Sequence, residues 1–229
     1  MDVTYENGIT AIRIRFVPSF PRFSKRIGLD HVPELSGVAE ELFASASRML
    51  IPVSIHRTAY IQEHQSEQDI HRVTVEGRQF RGKALGALDD VHRVFPYIAS
   101  CGNQMESFDS CSVDMIAPYW LEELKLQALM QARDTLMHYV RETYRLQRVQ
   151  SLNPGSGNTD IWPVEENHGI FSLLGGGDAA GVRLTESSLM IPAKSVSGML
   201  FSSIKHYDSC EHCEREHCPD RRVPFTHRL

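Results

Sequence analysis

The sequence has 229 residues, of which 41% are hydrophobic and 23% charged, and this is enough for one large globular domain with its own core. The formal net charge of −5 argues against a nucleic-acid-binding protein, because binding phosphates requires a basic face. No apolar run is long enough for a membrane span, and the N-terminus lacks the features of a secretory signal. We therefore expect a cytoplasmic protein with reduced cysteines.

The first hundred residues predict short strands around one helix. Residues 9–17 alternate between apolar and polar side chains, which predicts a half-buried strand that is ended by Pro18 and Pro21. Pro33 is expected to open a helix that runs to about Met49. Further strands are predicted over residues 51–61, 73–80 and 94–99, with a turn at 62–69 and a short helix or turn at 85–88.

The longest predicted element is a helix over about residues 112–148. Its apolar side chains recur at helical spacing; they are Leu121, Leu124, Ala128, Ala132, Thr135, Tyr139 and Tyr144. Residues 153–157 must then form a loop, because proline and glycine break both regular structures. A helix over 164–174, a strand over 182–191 and a strand or helix start over 196–203 follow. This mixed order, without regular βαβ alternation, favours an α+β fold.

A charged segment interrupts the last predicted strands. Arg183, Glu186 and Lys194 lie within a pattern that is otherwise apolar. They could line a pocket, or they could form a structural ion-pair network at a sheet edge, and their spacing does not separate the two.

A cysteine-rich segment lies near the C-terminus. Cys210, Cys213 and Cys218 fall within nine residues, and histidines 206, 212 and 217 lie among them. Thiolates at this spacing favour a soft metal, and the fourth ligand would come from Cys101, Cys111 or a nearby histidine. The Cys-x-x-Cys pair is a common half-site for zinc, whereas a cysteine followed by proline, as at Pro219, is common at iron–sulfur clusters. Free thiols in a disordered tail are the remaining alternative.

Several segments resemble one known family. They are Pro154-Gly155 and residues 80–83, 99–102, 119–121, 171–174, 181–187 and 192–198, of which the stretch from Leu-Thr-Glu-Ser to Ser-Val-Ser-Gly is the most specific. Together they are similar to the activation domain of cobalamin-dependent methionine synthase. The resemblance spans most of residues 1–205, which leaves 206–229 as a separate metal-binding tail.

The resemblance implies both a fold and a function. The family fold is a C-shaped single α+β domain with a twisted, mostly antiparallel sheet packed by helices, and it binds S-adenosylmethionine in a shallow groove. The domain lies over the cobalamin of a methionine synthase. Inert cob(II)alamin there receives one electron from a flavodoxin-like or ferredoxin-like donor and a methyl group from S-adenosylmethionine. We therefore expect a reactivation protein for a methionine synthase or another corrinoid protein.

The resemblance also implies which residues hold the ligand. In the family, an arginine three residues before the proline of the Pro-Gly loop and a tyrosine directly after its glycine contribute. This chain has Ser151 and Ser156 at those positions and retains Pro154 and Gly155. Ser151 supplies no guanidinium fork for a carboxylate.

Residues outside the loop complete the implied site. A family glutamate late in the long helix matches Glu142, and a tyrosine beyond the Ser-Gly segment corresponds to Tyr207. Arg145 or Arg148 could replace the missing arginine. The implied ligand residues are thus Glu142, Pro154, Gly155, Ser156 and Tyr207.

Two functions remain open on these grounds. The first is an activator that uses S-adenosylmethionine as methyl donor. The second is a docking and electron-delivery protein for a corrinoid partner, which carries an iron–sulfur centre and does not bind S-adenosylmethionine. In either case the tail could instead contact the corrinoid directly. An enzyme for small free substrates is disfavoured, because the sequence has no recognisable set of nucleophile and base.

Overall fold

The structure is a computed structural model that describes residues 1–156, 161–218 and 221–226. Its strands are β1 (Asp2–Glu6), β2 (Ile9–Arg13), β3 (Val53–His56), β4 (Ala59–Glu67), β5 (Ile70–Val75), β6 (Arg78–Gly82), β7 (Arg93–Ser100), β8 (Gln150–Leu152), β9 (Arg183–Leu184), β10 (Met190–Ile191) and β11 (Ser195–Phe201). Its α-helices are α1 (Phe20–Ile27), α2 (Ser36–Met49), α3 (Ala117–Thr143) and α4 (Asn167–Leu173). The predicted α+β class is confirmed.

Strand β7 is the centre of an antiparallel sheet. One edge of β7 pairs with β3 and then β4, and the other edge pairs with β11, which in turn pairs with β8. Phe95 and Tyr97 of β7 face the core that contains the long helix, whereas Val94 and Ile98 face a second core on the opposite side. A strand buried on both faces appears in sequence as a continuous apolar run, which is why β7 could be predicted.

The buried face of helix α3 agrees with the predicted stripe from Leu121 to Ala132, whereas beyond Ala132 the predicted positions Thr135 and Tyr139 are only partly buried. Its buried positions are Ala117, Trp120, Leu121, Leu124, Gln127, Ala128, Leu129, Ala132, Leu136 and Val140. The helix is shorter than predicted at both ends. After Thr143 the chain reverses at Arg145, whose φ is +53°, and the amide of Leu146 donates to the carbonyl oxygen of Arg141 at 2.9 Å. This closure is of the Schellman type. No helix within the described ranges is both long and apolar enough to span a membrane.

Four predicted elements differ from the structure. Residues 62–69, predicted as a turn, mostly belong to β4, which forms a hairpin with β5. The side chains of β4 beyond Ile61 are exposed, so the strand carries no apolar signal there. Residues 51–61 form two strands rather than one, and so do residues 182–191, where β9 and β10 pair as a short hairpin. Pro21, interpreted as a strand terminator, opens α1, which has Ser19 as its N-cap.

Candidate functional site: a cleft between the long helix and the C-terminal segment

A cleft of about 370 Å³ lies where three distant parts of the chain meet. One wall comes from α3, the second from β8 and the residues just before it, and the third from the C-terminal segment. The lining residues are Arg133, Asp134, Met137, Arg148, Val149, Gln150, Ser151, His206, Tyr207, Asp208 and Arg222. The volume lies within the range of roughly 300–1,000 Å³ that is typical of small-molecule sites.

The helix wall brings a cation toward β8. Arg133 follows the buried Ala132, and its half-buried side chain reaches across to β8. There its Nη2 donates to the hydroxyl oxygen of Ser151 at 3.4 Å. The next residue, Asp134, is exposed and adds a carboxylate to the same wall. Helix α3 therefore presents opposite charges side by side.

The strand wall is tied to the C-terminal segment through Gln150. This side chain is buried, and its Oε1 accepts the main-chain amide of Tyr207 at 2.6 Å. Its Nε2 donates to the carbonyl oxygen of Lys205 at 2.9 Å. One carboxamide thus satisfies main-chain groups on both sides of His206 and fixes the third wall against β8.

Two aromatic rings lie close together in the C-terminal wall. The rings of Tyr207 and His212 lie 5.5 Å apart between centroids, with an interplanar angle of 32°. Burial, reinforced by nearby Asp208 and Glu211, raises the pKa of the Tyr207 phenol above its ordinary range. Tyr207 therefore offers the cleft a neutral ring.

An ion pair closes the same wall. Arg222 donates to both carboxylate oxygens of Asp208, through Nη2 at 2.8 Å and Nε at 2.9 Å. Asp208 also accepts the main-chain amide of Cys210 at 2.9 Å. Burial alone would raise the pKa of Asp208, but these hydrogen bonds and the charge of Arg222 lower it below its ordinary value. The pair is therefore charged, and Arg222 is neutralised locally.

The Pro-Gly loop forms a tight turn beside the cleft. The amide of Ser156 donates to the carbonyl oxygen of Asn153 at 3.1 Å, and Gly155 has φ of +73°. Proline followed by a left-handed glycine is the pattern of a type II turn. The Ser156 hydroxyl donates to that of Ser209 at 3.4 Å, which links the turn to the C-terminal segment. Gly157, the last residue of the predicted loop, lies outside the described residues.

The structure brings some of the expected ligand residues together and leaves others apart. Tyr207 lines the cleft, and Pro154, Gly155 and Ser156 form the turn next to it. Glu142 does not line the cleft; its side chain is 61% exposed and accepts from Nη2 of Arg141 at 3.0 Å.

The sequence offers Arg145 and Arg148 as replacements for the family arginine that is Ser151 in this chain. Of the two candidates, Arg148 lines the cleft and Arg145 does not; Arg133, which the sequence pattern does not indicate, lines it as well. The signal that could have pointed to Arg133 is its position directly after Ala132 of the apolar stripe, because that places it at the border of the buried helix face.

The cysteine-rich segment forms a turn around an arginine. The guanidinium of Arg221 donates to the carbonyl oxygens of Cys210 at 2.9 Å and Cys213 at 3.0 Å, and also to that of Arg215. The amide of Cys213 donates to the carbonyl oxygen of Cys210 at 3.4 Å. Main-chain groups of these cysteines are therefore satisfied by protein donors and acceptors.

The proposed fourth metal ligand lies in a different environment. Cys101 directly follows β7, is fully buried and donates from Sγ to the carbonyl oxygen of Gly102 at 3.2 Å. Burial raises the pKa of its thiol to about 11. Pro219 lies outside the described residues. Within residues 1–156, 161–218 and 221–226, no three His, Cys, Asp or Glu side chains are grouped to hold a metal ion, so the structure does not support the predicted centre.

The charged segment contributes both to an ion-pair network and to the lining of a cleft. Lys194 pairs with Glu122 of α3 at 3.4 Å, and Glu122 also pairs with Lys125 at 3.4 Å, so Lys194 belongs to an ion-pair network. Arg183 lines a separate cleft of about 490 Å³ that also includes Glu106.

The family comparison covers the same residues that build the first cleft. Residues 132–222 match the sequence model of one protein family, the activation domain of vitamin B12 dependent methionine synthase. The match begins one residue before Arg133 and ends at Arg222, so it contains every residue of the cleft.

Over this stretch, which is less than half of the chain, the sequence is similar to that family.

The activation-domain fold extends over most of the chain. A crystal structure of the MetH reactivation domain bound to AdoHcy superimposes with a TM-score of 0.61 and 15% sequence identity. The similarity covers 90% of this chain and 82% of that one. The two therefore share a fold. No curated protein sequence matches the chain.

Proposed function

We propose that this protein is a reactivation protein for a cobalamin-dependent methionine synthase or a related corrinoid protein, with S-adenosylmethionine as its methyl donor. The observation that carries the proposal is the family match over residues 132–222, which contains the whole cleft. The activation-domain fold, known in a structure bound to AdoHcy, supports a role in methionine synthase reactivation.

The side chains of the cleft fit the charges of S-adenosylmethionine. The ligand has a carboxylate, an ammonium group, a sulfonium and an uncharged nucleoside. The cleft offers the cations Arg133 and Arg148, the carboxylate of Asp134, and apolar surface from Met137 and the Tyr207 ring. A mixed lining of this kind suits a zwitterion with an aromatic base.

The proposed reaction balances with an external electron. The partner's cob(II)alamin accepts one electron from a flavodoxin-like or ferredoxin-like donor, and a methyl group leaves the sulfonium for cobalt. The products are methylcobalamin and S-adenosylhomocysteine. The task of this chain is to hold the sulfonium in line with the partner's cobalt, so that the transfer is effectively unimolecular.

The cysteine-rich segment has no chemical step in this proposal. Its described residues form a turn around Arg221 and are not grouped as a metal site. The segment instead serves as a wall of the cleft through Tyr207, Asp208 and Arg222.

The first test is calorimetric titration of the protein, purified without oxygen, with S-adenosylmethionine and S-adenosylhomocysteine. We expect saturable binding that is weakened by Tyr207→Ala. The matched control is Tyr119→Ala, which removes a tyrosine that is 73% exposed near the start of α3. Absence of binding would contradict the methyl-donor site. Stoichiometric iron and sulfide in a protein that does not bind would favour the electron-delivery function instead.

The second test measures reactivation itself. A cobalamin-dependent methionine synthase without its activation region is held as cob(II)alamin with a one-electron donor and S-adenosylmethionine. We expect the visible spectrum of methylcobalamin to return only when this protein is added. Equal rates with and without the protein would contradict the proposal.

A further inference from the structure

Two of the C-terminal cysteines lie at the ends of one tight turn. Residues Ser209–His212 form a short 3₁₀ helix, and Cys213 follows it as the C-cap with φ of −94°. The main-chain amide of Cys213 donates to the carbonyl oxygen of Cys210 at 3.4 Å. In a 3₁₀ helix, which rises roughly 2.0 Å per residue, side chains three residues apart lie one above the other at a separation of about 6 Å. The thiols of Cys210 and Cys213 therefore project from the same side of the turn.

This separation suits a disulfide bond. A disulfide requires Cα atoms roughly 4.4–6.8 Å apart and side chains that face each other. Arg221 holds the turn in place, because its guanidinium donates to the carbonyl oxygens of Cys210 at 2.9 Å and Cys213 at 3.0 Å. Both thiols are free and partly exposed, so a small oxidant can reach them. The turn is thus preorganised for ring closure.

Each of the other three cysteines lacks one of these features. Cys101 is fully buried. Cys111 is exposed, but it is the single cysteine of its own short turn, Ser110–Ser112. Cys218 lies beyond the 3₁₀ turn, where its carbonyl oxygen accepts the main-chain amide of Arg221 at 3.2 Å. The geometry therefore favours Cys210 and Cys213 as partners.

The turn is joined directly to a wall of the cleft. The main-chain amide of Cys210 donates to Oδ1 of Asp208 at 2.9 Å, and the Cys210 thiol hydrogen-bonds to the same carboxylate. Asp208 lines the cleft and pairs with Arg222. A disulfide sulfur has no proton to donate, so oxidation of Cys210 removes one hydrogen bond from this carboxylate.

We propose that Cys210 and Cys213 form a reversible dithiol–disulfide pair, and that its oxidation loosens the C-terminal wall of the cleft. The oxidant is a small disulfide such as oxidised glutathione. One thiolate of the pair attacks it to give a mixed disulfide, and the second thiolate then displaces glutathione. Two S–H bonds are lost, one S–S bond forms within the chain, and the oxidant leaves as two glutathione thiols. The effect on the cleft rests on the proposed function and adds regulation to it, because ligand binding then depends on oxidation.

The first experiment maps the disulfide in the intact protein. Reduced protein is equilibrated in buffers with different ratios of reduced to oxidised glutathione, and the remaining thiols are alkylated before digestion. Trypsin cuts after Lys205 and Arg215, so the peptide 206–215 contains both cysteines of the pair, whereas Cys218 lies in the next peptide. As the buffer becomes more oxidising, we expect peptide 206–215 to lose two hydrogen atoms and to take up no alkyl group. Cys111 should form only a mixed disulfide with glutathione.

Two serine variants identify the partner of Cys210. Cys213→Ser should abolish the disulfide within peptide 206–215, whereas Cys218→Ser should form it at the same glutathione ratio as the wild type. Circular dichroism and thermal unfolding establish that each variant is folded. A disulfide that joins Cys218 to either member of the pair would overturn the assignment. So would glutathione adducts on both Cys210 and Cys213 in place of a bond between them.

The second experiment measures whether oxidation affects the cleft. S-adenosylhomocysteine is titrated by calorimetry into reduced and oxidised Cys218→Ser protein, so that Cys218 takes no part. We expect the oxidised form to bind roughly 2- to 10-fold more weakly, the loss typical of one hydrogen bond. The control combines Cys210→Ser with Cys213→Ser, which keeps a hydroxyl donor at position 210, and it should bind equally in both buffers.

The outcomes distinguish the thiol pair from the function of the cleft. Equal or tighter binding by the oxidised protein would overturn the effect on the cleft. Reduced protein that does not bind S-adenosylhomocysteine would contradict the proposed function itself. The peptide map decides the disulfide in either case, because it requires no ligand.

Discussion

The carboxamide of Gln150 and the main-chain amide of Tyr207 are joined by a hydrogen bond of 2.6 Å, across 57 positions of the chain. The same side chain also donates to the carbonyl oxygen of Lys205. This relationship determines where the C-terminal segment lies, and hence whether the cleft has its third wall.

Replacing Gln150 with alanine should loosen that wall. The buried main-chain groups at 205 and 207 would lose their partner, so we expect the free energy of unfolding to fall by about 1–3 kcal/mol. Hydrogen exchange should accelerate at the amide of Tyr207. Urea denaturation and exchange measured by mass spectrometry test both effects. The matched control is Gln65→Ala, on the exposed part of β4, for which we expect no change in either.

The ion pair of Asp208 and Arg222 should make the free energy of unfolding decrease at low pH. The folded pKa of Asp208 lies below its unfolded value, so the pair stabilises the fold above the unfolded pKa of 3.8, and this contribution is lost as the pH falls through the folded pKa. Since Arg222 is partly exposed, we expect the pair to contribute only about 1 kcal/mol.

Urea unfolding between pH 3 and 7 measures this effect. Asp208→Asn should reduce the loss of stability below about pH 4. Asp30→Asn, at a side chain that is 77% exposed, is the control. A wild-type slope in Asp208→Asn would refute the linkage.

His56 should affect stability in a higher pH range. It is fully buried against the rings of Phe95, Tyr139 and Tyr144, and neither ring nitrogen has a hydrogen-bond partner among the described residues. Burial lowers its pKa from 6.5 to about 4. The unfolded state therefore binds more protons between these values, and stability should decrease as the pH falls from 6.5 toward 4.

Removing the imidazole should flatten this slope. The full linkage amounts to about 3 kcal/mol, and we expect most of it to disappear in His56→Phe. The slope is the deciding quantity, because any packing cost of the larger ring shifts the curve without tilting it. His31→Phe, at a side chain that is 83% exposed, should keep the wild-type slope. An equally steep slope in His56→Phe would contradict the prediction.

Replacing Gly155 with alanine should destabilise the fold more than the same replacement of Gly77, a glycine with a similar φ. Its φ is +73°, and an added Cβ would lie 3.1 Å from Cγ2 of Val164. Gly77 has φ of +75° with nothing within 4 Å, so Gly77→Ala measures the backbone cost alone. We expect about 1–2 kcal/mol of destabilisation for that backbone cost and a larger loss in Gly155→Ala. Chemical denaturation of both variants, and of Gly155→Ala with Val164→Ala, tests whether the excess is due to contact with Val164.

The sequence predicts the elements whose burial is strong and periodic. Strand β7 is a continuous apolar run, and α3 keeps its predicted apolar stripe from Leu121 to Ala132, so the sequence predicts both elements. The outer part of β4 was mistaken for a turn because its side chains are exposed and polar. Strand β8 has only three residues and was not predicted, since a segment of that length carries no period.

The cleft was harder to predict than the fold. Tyr207 was found through the family resemblance, but Arg133 was hidden within a helix interpreted only as core. The position of its guanidinium in the cleft depends on where Ser151 lies in space, and no local pattern contains that distance. The cysteine spacing suggested a metal, yet it does not reveal that Arg221 fills the turn with its guanidinium.

The C-terminal wall of the cleft has a thermodynamic consequence. The described residues beyond Phe201 contribute little to either core, apart from the partly buried Tyr207. Under the proposed function, docking of this segment and binding of the ligand are linked equilibria, and whatever favours one favours the other to the same extent. A ligand at a hundred times its Kd would hold the segment in place by up to about 2.7 kcal/mol. The same reciprocity makes the order of residues 204–218 a reporter of how full the cleft is.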